Sequence, residues 1–489
     1  MHFVEESTHI RMKKPTLLEA SEWIFASVVA LGCLTSLKNV WGLVSLPYQL
    51  NFAEGVDLSG ALRVLQGQTL YPPSHAFPVI IYQYGPVYYY VAAWLLKWFG
   101  VAFAPLRLLT MVSALAVAGL VALLLHHLTA SWKLALSFGF LFLTISLVQD
   151  WLPLARVDMP GVALSLAGLY LYSRFGARWY LSIPFFLGAI FCKYTLVAAP
   201  SACFLDLLFR KRMKQAAGFA GCMALLSGMA FLGLARMTGS GFAFDTLASH
   251  TDPFTFGRAL HFFQLAVFQY PFLFVLGIGL ALRDLLKKVA TLPSLYLTLS
   301  TLTLISAGKF GSDSNHMLEW TAILCLCAGL SYHALRQEAA GATALLLVPG
   351  VLTLMVIANL RPPWFYPDTA GCPNAYAYVK QLPGRRILSE NVGAVVMAGK
   401  PVQLSDPFVW IWLVRRGGWS DAELQTRVRA RAFDAIVLHS PINAQRDLGD
   451  TGRWSPPVLD ALQQNYQPTW AFACQDAGVV YEPIRAVPH

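Results

Sequence analysis

The 489 residues are 56% hydrophobic and only 13% charged, with a mean hydropathy of +0.53. A soluble globular chain carries about twice that share of charge, so composition excludes an ordinary cytosolic protein and indicates one that crosses a membrane many times. The net charge of +10 lies largely in short clusters beside apolar runs, where the positive-inside rule puts it, and no nucleic-acid-binding motif accompanies it, so nucleic acid is set aside as a partner.

Taken in order, Arg11, Lys13 and Lys14 precede an apolar run that continues to Pro47. The run is too long for a signal-peptide core and reads as a retained first helix with a cytoplasmic N terminus. Further apolar blocks fall at roughly 86–103, 107–127, 133–149, 160–175, 179–192, 195–209, 216–236, 263–282, 290–307, 317–335 and 340–358. Several fall short of the ~20 residues of a straight span, which predicts tilted or broken helices. Basic clusters set the sidedness. Arg210, Lys211, Arg212 and Lys214, then Arg283, Lys287 and Lys288, then Arg336, are placed in the cytoplasm. The loops 48–85, 150–159, 237–262 and 308–317, and everything after 360, then open on the opposite face. Two full spans between 86 and 127 conflict with this, so the 86–103 block is expected to be re-entrant, or two blocks to merge. The count becomes about 11 spans.

The first outer loop holds Glu54 and Asp57, together with Arg63, Tyr71, Tyr82 and Tyr84. Within it LSGALRVLQG sets Leu58, Leu62 and Leu65 on one stripe and stops at Gly67. That spacing predicts an amphipathic helix lying in the membrane interface. Both acids stand at its N terminus, where the helix dipole favours an ionised carboxylate. One of them either caps the helix or does chemistry; a carboxylate held at a membrane surface is a candidate for function, and Glu54 is the expected general base. The run YQYGPVYYY is either an aromatic belt or a set of rings for stacking on sugars, with Tyr84 the substrate-contact candidate.

The second outer loop, VQDWLPLARVDMPG, crowds Asp150, Arg156 and Asp158 together. Arg156 and Asp158 either pair across the loop, or Asp158 joins Glu54 in one site. In FCKYT, Lys193 lies on the outer face against the positive-inside rule, so it either snorkels or meets a phosphate. Arg258, in DPFTFGRALHFF, is a second anion-binding candidate. The stretch GKFGSDSNHMLEWTAI puts Asn315 and Glu319 on one helical face. His316 with Glu319 has ligand spacing, but two ligands are too few to specify a metal. A divalent cation is therefore the one cofactor left open, and a structural hydrogen-bonded cluster is the other reading of these residues.

After residue 360 the composition changes. Pro362 and Pro363 end the last helix, and AYAYVKQL, RRILSE, AELQTRVRARAF and DAIVLHS alternate helix and strand patterns. This predicts a small α/β domain over 361–489 following a transmembrane region over 1–360. It shows no Gly-rich phosphate loop and no nucleophile elbow, and reads as a lid, an acceptor-binding part or a stability module. Six of the eight cysteines lie in apolar blocks and are read as packing residues; Cys372 and Cys474 either pair or remain thiols.

The order AEGVDLSGALRVLQGQTLYPP, YQYGPVYYY, ARVDMPG, CKYT, GSDSNHMLE resembles the GT-C-fold glycosyltransferases, in particular the bacterial transferases related to protein O-mannosyltransferases and lipid A aminoarabinose transferases. The resemblance covers roughly residues 20–335. An acidic Asp-Glu pair is common at the first-loop motif of that family. Here Ala53 stands at the first position, Glu54 matches the second, and Asp57 falls where the family usually has an aromatic or apolar residue, which leaves either acid as the base. The resemblance implies an α-helical polytopic, GT-C-like membrane protein of the inner membrane with an extracytoplasmic α/β domain. It implies a polyprenyl-phosphate-linked sugar as donor, a hydroxyl on a lipid, glycan or protein as acceptor, and an inverting transfer on the periplasmic or exterior face. Two other readings remain open. A transporter of a lipid-linked saccharide should show inverted repeats and mid-membrane charges, and no clear repeat is visible. A non-catalytic assembly protein is kept open by Ala53.

Overall fold

The computed structural model describes residues 16–73, 77–338, 343–360, 370–474 and 476–484. Arg11, Lys13, Lys14, Pro362 and Pro363, which carried two of the expectations above, lie outside the described residues. The protein is a polytopic helical membrane protein. Among the described residues four helices are long and apolar enough to cross a bilayer: Leu17–Val44, Phe103–Thr129, Met213–Met237 and the stretch Ser314–Glu338. They differ in place. The window through Ser314–Glu338 is 83% buried, which makes it the central helix, whereas Met213–Met237 is 6% buried and faces lipid almost all round.

The block expected at 263–282 is two helices, Phe256–Gln269 and Pro271–Leu286, bent by 104°. Pro271 is the physical reason, because it lacks an N–H and its ring clashes with the carbonyl four residues back. Tyr270 at the break leaves helical geometry, and its hydroxyl accepts from the Leu147 backbone at 3.3 Å. The 86–103 block is the helix Pro86–Phe99 of 14 residues, too short to cross at ~1.5 Å per residue. Other apolar helices are also short: Ala198–Phe209, Leu292–Gly308 and Leu347–Asn359.

The C-terminal region carries a four-stranded sheet in the order β1-β2-β4-β3. β1 (Ile387–Ser389) runs parallel to β2 (Ala435–Leu438), and β4 (Asp476–Pro483) is antiparallel to both β2 and β3 (Tyr466–Cys474). The helices Val392–Met397, Pro407–Arg415 and Ala422–Arg429 form the crossover that a parallel pair requires. Cys372 and Cys474 form a disulfide, which fits an oxidising compartment.

This region is fastened to the 48–85 loop in two places. Val79 bridges to Leu404, with Val79 N–H donating to the Gln403 carbonyl at 2.9 Å and Ser405 N–H to the Val79 carbonyl at 2.9 Å. Ser405 Oγ then accepts from Ile81 N–H at 2.8 Å. At the second place the helix Phe52–Leu65 meets Val392–Met397 through two glycines. A Cβ on Gly55 would stand 2.4 Å from the Gly393 nitrogen, so the backbones touch only because Gly55 has no side chain. Gln49 Oε1 accepts from that same Gly393 N–H at 3.1 Å.

Candidate functional site

The helix predicted in the first loop is present as Phe52–Leu65, and its N terminus decides the roles of the two acids. Asn51 is the N-cap, its side chain accepting from Ala53 N–H at 3.0 Å, and Glu54 completes a capping box. Glu54 is fully buried against Arg107 of the helix Phe103–Thr129. Its Oε1 accepts from Arg107 Nε at 2.9 Å and from Ala155 N–H at 2.6 Å; its Oε2 accepts from Arg107 Nη2 at 2.9 Å and from Leu50 N–H at 2.5 Å. This geometry weighs against the expectation that Glu54 is the base. Both oxygens are occupied, and the carboxylate does not reach the cavity described below.

Asp57, one turn further on, does reach it. Oδ2 accepts from Arg156 Nη1 at 2.8 Å and Oδ1 from the Tyr89 hydroxyl at 3.1 Å. Arg156 continues the chain: Nη2 donates to the Tyr84 hydroxyl at 3.0 Å, the guanidinium lies 5.3 Å over the Tyr84 ring, and Nε stands 3.8 Å from Asp158 Oδ2. Asp158 opens the helix Asp158–Phe175, where the dipole favours its charge. Its Oδ1 takes Lys193 Nζ at 2.5 Å and Asn315 Nδ2 at 2.9 Å. Thus Asp57, Tyr84, Arg156, Asp158, Lys193 and Asn315, drawn from four segments, form one connected network. His316 stands beside it, its Nδ1 2.8 Å from Ser306 Oγ.

Two expected site residues lie apart. Glu319 is one turn deeper in the central helix and accepts from the Ser165 and Tyr296 hydroxyls at 3.0 and 2.8 Å, a satisfied cluster that borders a smaller pocket beneath Asp158 and Lys193. Arg258 sits behind the cavity wall. Its Nη2 donates to the Ser312 carbonyl at 2.8 Å and its guanidinium lies over Phe262 and Phe310.

The network forms one wall of a cavity of ≈ 420 Å³. The opposite wall was not anticipated. It comprises His250 and Asp252, Lys309, and Asp406, Phe408 and Arg453 of the C-terminal region. Lys309 is set by a short backbone pairing, Thr255 N–H to the Gly308 carbonyl at 2.9 Å and Phe310 N–H to the Pro253 carbonyl at 2.8 Å. Among the described residues its ammonium has no ion-pair partner. A second pocket, an apolar groove of ≈ 500 Å³, runs beside the cavity between Phe191, Phe231, Leu232 and Phe242. Tyr194 lines both, and its hydroxyl is 2.5 Å from His250 Nε2.

Burial sets the protonation states around the cavity. It raises the Asp57 carboxyl to about 7 against the pull of Arg156, and raises Asp252 and Asp406 to about 6 each. It lowers His250 to about 4, so that imidazole is neutral near pH 7.

A divalent cation does not fit these donors. Asp57 and Asp158 face one another across the Arg156 guanidinium, and Asp158 already holds the Lys193 ammonium. A metal would have to displace two fixed cations. Among the described residues no group of three His, Cys, Asp or Glu side chains converges. Activity in membranes should accordingly survive dialysis against EDTA within about twofold, where a metal-held donor would lose it by orders of magnitude.

No family model and no curated protein sequence matches the chain significantly. The likeness is in the fold. Apo ArnT from Cupriavidus metallidurans, a lipid A aminoarabinose transferase, superposes with a TM-score of 0.64 at 13% identity, covering 94% of this chain and 98% of that one. ArnT bound to undecaprenyl phosphate gives 0.63 at 12% identity over 94% and 99%. The oligosaccharyltransferase of Archaeoglobus fulgidus, tethered to an acceptor peptide containing the NVT sequon, gives 0.58 at 11% identity over 94% and 74%. The chain has the GT-C fold that its sequence motifs suggested.

Proposed function

We propose that the protein is an integral-membrane glycosyltransferase that moves a sugar from a polyprenyl-phosphate donor to an acceptor hydroxyl, with inversion, on the non-cytoplasmic face of the inner membrane. One observation carries this reading: a charged cavity holding a buried carboxylate shares Tyr194 with an apolar groove of lipid-tail size. The groove takes the polyprenyl chain, and the phosphate sits where groove and cavity meet, within reach of Lys309 and His250. The solved ArnT complex with undecaprenyl phosphate supports a ligand of that kind on this fold.

In the step itself Asp57 takes the proton of the acceptor hydroxyl. The acceptor oxygen bonds to the anomeric carbon from the face opposite the phosphate. The bond from that carbon to the phosphate oxygen breaks, and its electron pair leaves on the polyprenyl phosphate. Lys309 meets the charge that develops there, which is where a fixed cation lowers the barrier. Arg156 holds Asp57 and Tyr84 in place, and Lys193 with Asn315 holds Asp158, which anchors Arg156 from behind. The basic cluster from Arg210 supports the non-cytoplasmic side for the site, because the positive-inside rule puts such clusters in the cytoplasm. The disulfide is consistent with that side being oxidising.

The test is donor binding. Purified protein in nanodiscs should bind undecaprenyl phosphate, and Lys309→Ala should weaken it by about tenfold to a hundredfold, the worth of one charge-assisted contact. Undiminished affinity in that variant would remove Lys309 from the phosphate site. Failure of the wild type to bind would remove the donor.

A further inference from the structure

We propose that the outer half of the cavity, completed by the C-terminal region, binds an uncharged, hydroxyl-rich acceptor, a saccharide, held between Asp252 and Asp406. The inference rests on the transferase reading above and narrows its acceptor.

The first argument is the distribution of charge. Of the four cations on the cavity wall, Arg156 is committed to Asp57 and Lys193 to Asp158, while Arg453 stacks 4.5 Å over the Phe52 ring and pulls on Asp406. Lys309 is left for the donor phosphate. A phosphorylated acceptor would then face Asp57, Asp252 and Asp406 with only Arg453, already offset by Asp406, to meet it. These three carboxylates already repel one another: Asp252 raises Asp406, and Asp406 raises Asp57.

The second argument is unfilled hydrogen-bonding capacity. Asp252 Oδ1 is buried with no partner among the described residues. Asn315, 7% exposed on the network wall, has its Nδ2 on Asp158 and its Oδ1 without a partner among the described residues. Asp406 uses Oδ1 to cap Pro407–Arg415, accepting from Phe408 and Val409 N–H at 3.1 and 3.0 Å. Acceptor atoms on opposing walls suit a ligand rich in O–H donors. An unpaired buried acceptor is costly unless a ligand satisfies it.

The third argument is the floor between them. Phe310 and Phe408 stack with centroids 5.9 Å apart and planes at 20°, presenting ring surface to the cavity. Gly311, at φ +86°, permits this: a Cβ there would stand 2.5 Å from the Phe408 ring, so only glycine lets the 308–312 turn close on the C-terminal region. Aromatic faces flanked by carboxylates match the C–H and O–H surfaces of a pyranose. The cavity volume lies within the roughly 300–1,000 Å³ usual for ligand pockets.

The experiment uses the full chain in nanodiscs, with saturation-transfer NMR against a panel of neutral trisaccharides (maltotriose, mannotriose, chitotriose), glucose 6-phosphate and a Ser/Thr-rich peptide. At least one neutral trisaccharide should give signal, and the phosphorylated sugar and the peptide should not. Asp252→Asn, which caps no helix, and Asp406→Asn, which keeps the capping oxygen, should each weaken that binding by about tenfold, the worth of a hydrogen bond to a charged group. Silence from all three trisaccharides, or preference for the peptide or the phosphorylated sugar, overturns the inference. Undecaprenyl phosphate binding, read in the same preparation, separates the two failures: its presence without trisaccharide binding sinks this proposal alone, and its absence sinks the donor reading.

Discussion

Asp57→Asn is expected to lower sugar transfer by about 10²–10⁴-fold, the usual worth of a positioned general base, with donor affinity retained. Asparagine keeps the shape, its single oxygen can still accept from Arg156, and its amide N–H can donate to the Tyr89 hydroxyl, so the network around it has no reason to collapse. What it loses is the proton acceptor. The pH profile supplies an independent readout. The carboxyl lies at about 7 in the fold, so transfer should fall about tenfold per pH unit below that value in the wild type. Stability gives a third readout with a definite sign. The folded value is raised above the ordinary carboxylate value of about 3.9, so the folded state binds the proton more tightly than the unfolded one. The stabilisation this gives is complete below about pH 4 and lost as the pH climbs to about 7. The Asn variant should lack that decline. Transfer that persists in Asp57→Asn would refute the assignment.

The particular residues show which parts of this could be read from the chain. Charge in an apolar sequence needs a partner, and Arg156, Asp158, Lys193 and Asn315 each stood out as polar residues between membrane-length blocks; the structure joins them. The four helix and strand patterns read in the C-terminal region correspond to Cys372–Gln381, β1, Ala422–Arg429 and β2, because each is a local alternation. The choice between Glu54 and Asp57 was partly legible. Asn51-Phe52-Ala53-Glu54 carries the spacing of a capping box, which marks Glu54 as the capping acid. Its partner Arg107 is a lone charge at the edge of an apolar block, where the sequence by itself marks only the start of a span. Asp406 and Arg453 could not be found this way. They reach the cavity only because Val79 and Gly55 dock the C-terminal region onto a loop more than 300 residues earlier, and no local pattern encodes that contact.

Glu54→Gln, the variant a base at Glu54 would single out, should fail for a different reason than Asp57→Asn. Glu54 and Arg107 are both fully buried, and all five guanidinium N–H groups are used: on the carboxylate, and on the carbonyls of Leu43, Leu46 and Tyr48. The pair ties the end of Leu17–Val44 to the start of Phe52–Leu65 and to Phe103–Thr129. Removing one charge leaves the other buried without its counter-ion, at a cost of about 3–5 kcal/mol. Glu54→Gln and Arg107→Met should therefore each lower thermal stability severely. The double variant should be less damaged than the sum of the two, since neither charge is then stranded. Asp57→Asn should show a smaller loss, because Arg156 keeps Asp158 at 3.8 Å as a counter-ion and the Tyr84 hydroxyl as an acceptor. Any fall in transfer in Glu54→Gln would follow from displacement of the helix that carries Asp57, and so should track the folded fraction. A Glu54→Gln protein with wild-type melting and no transfer would return the base to Glu54 and leave Asp57 as its neighbour.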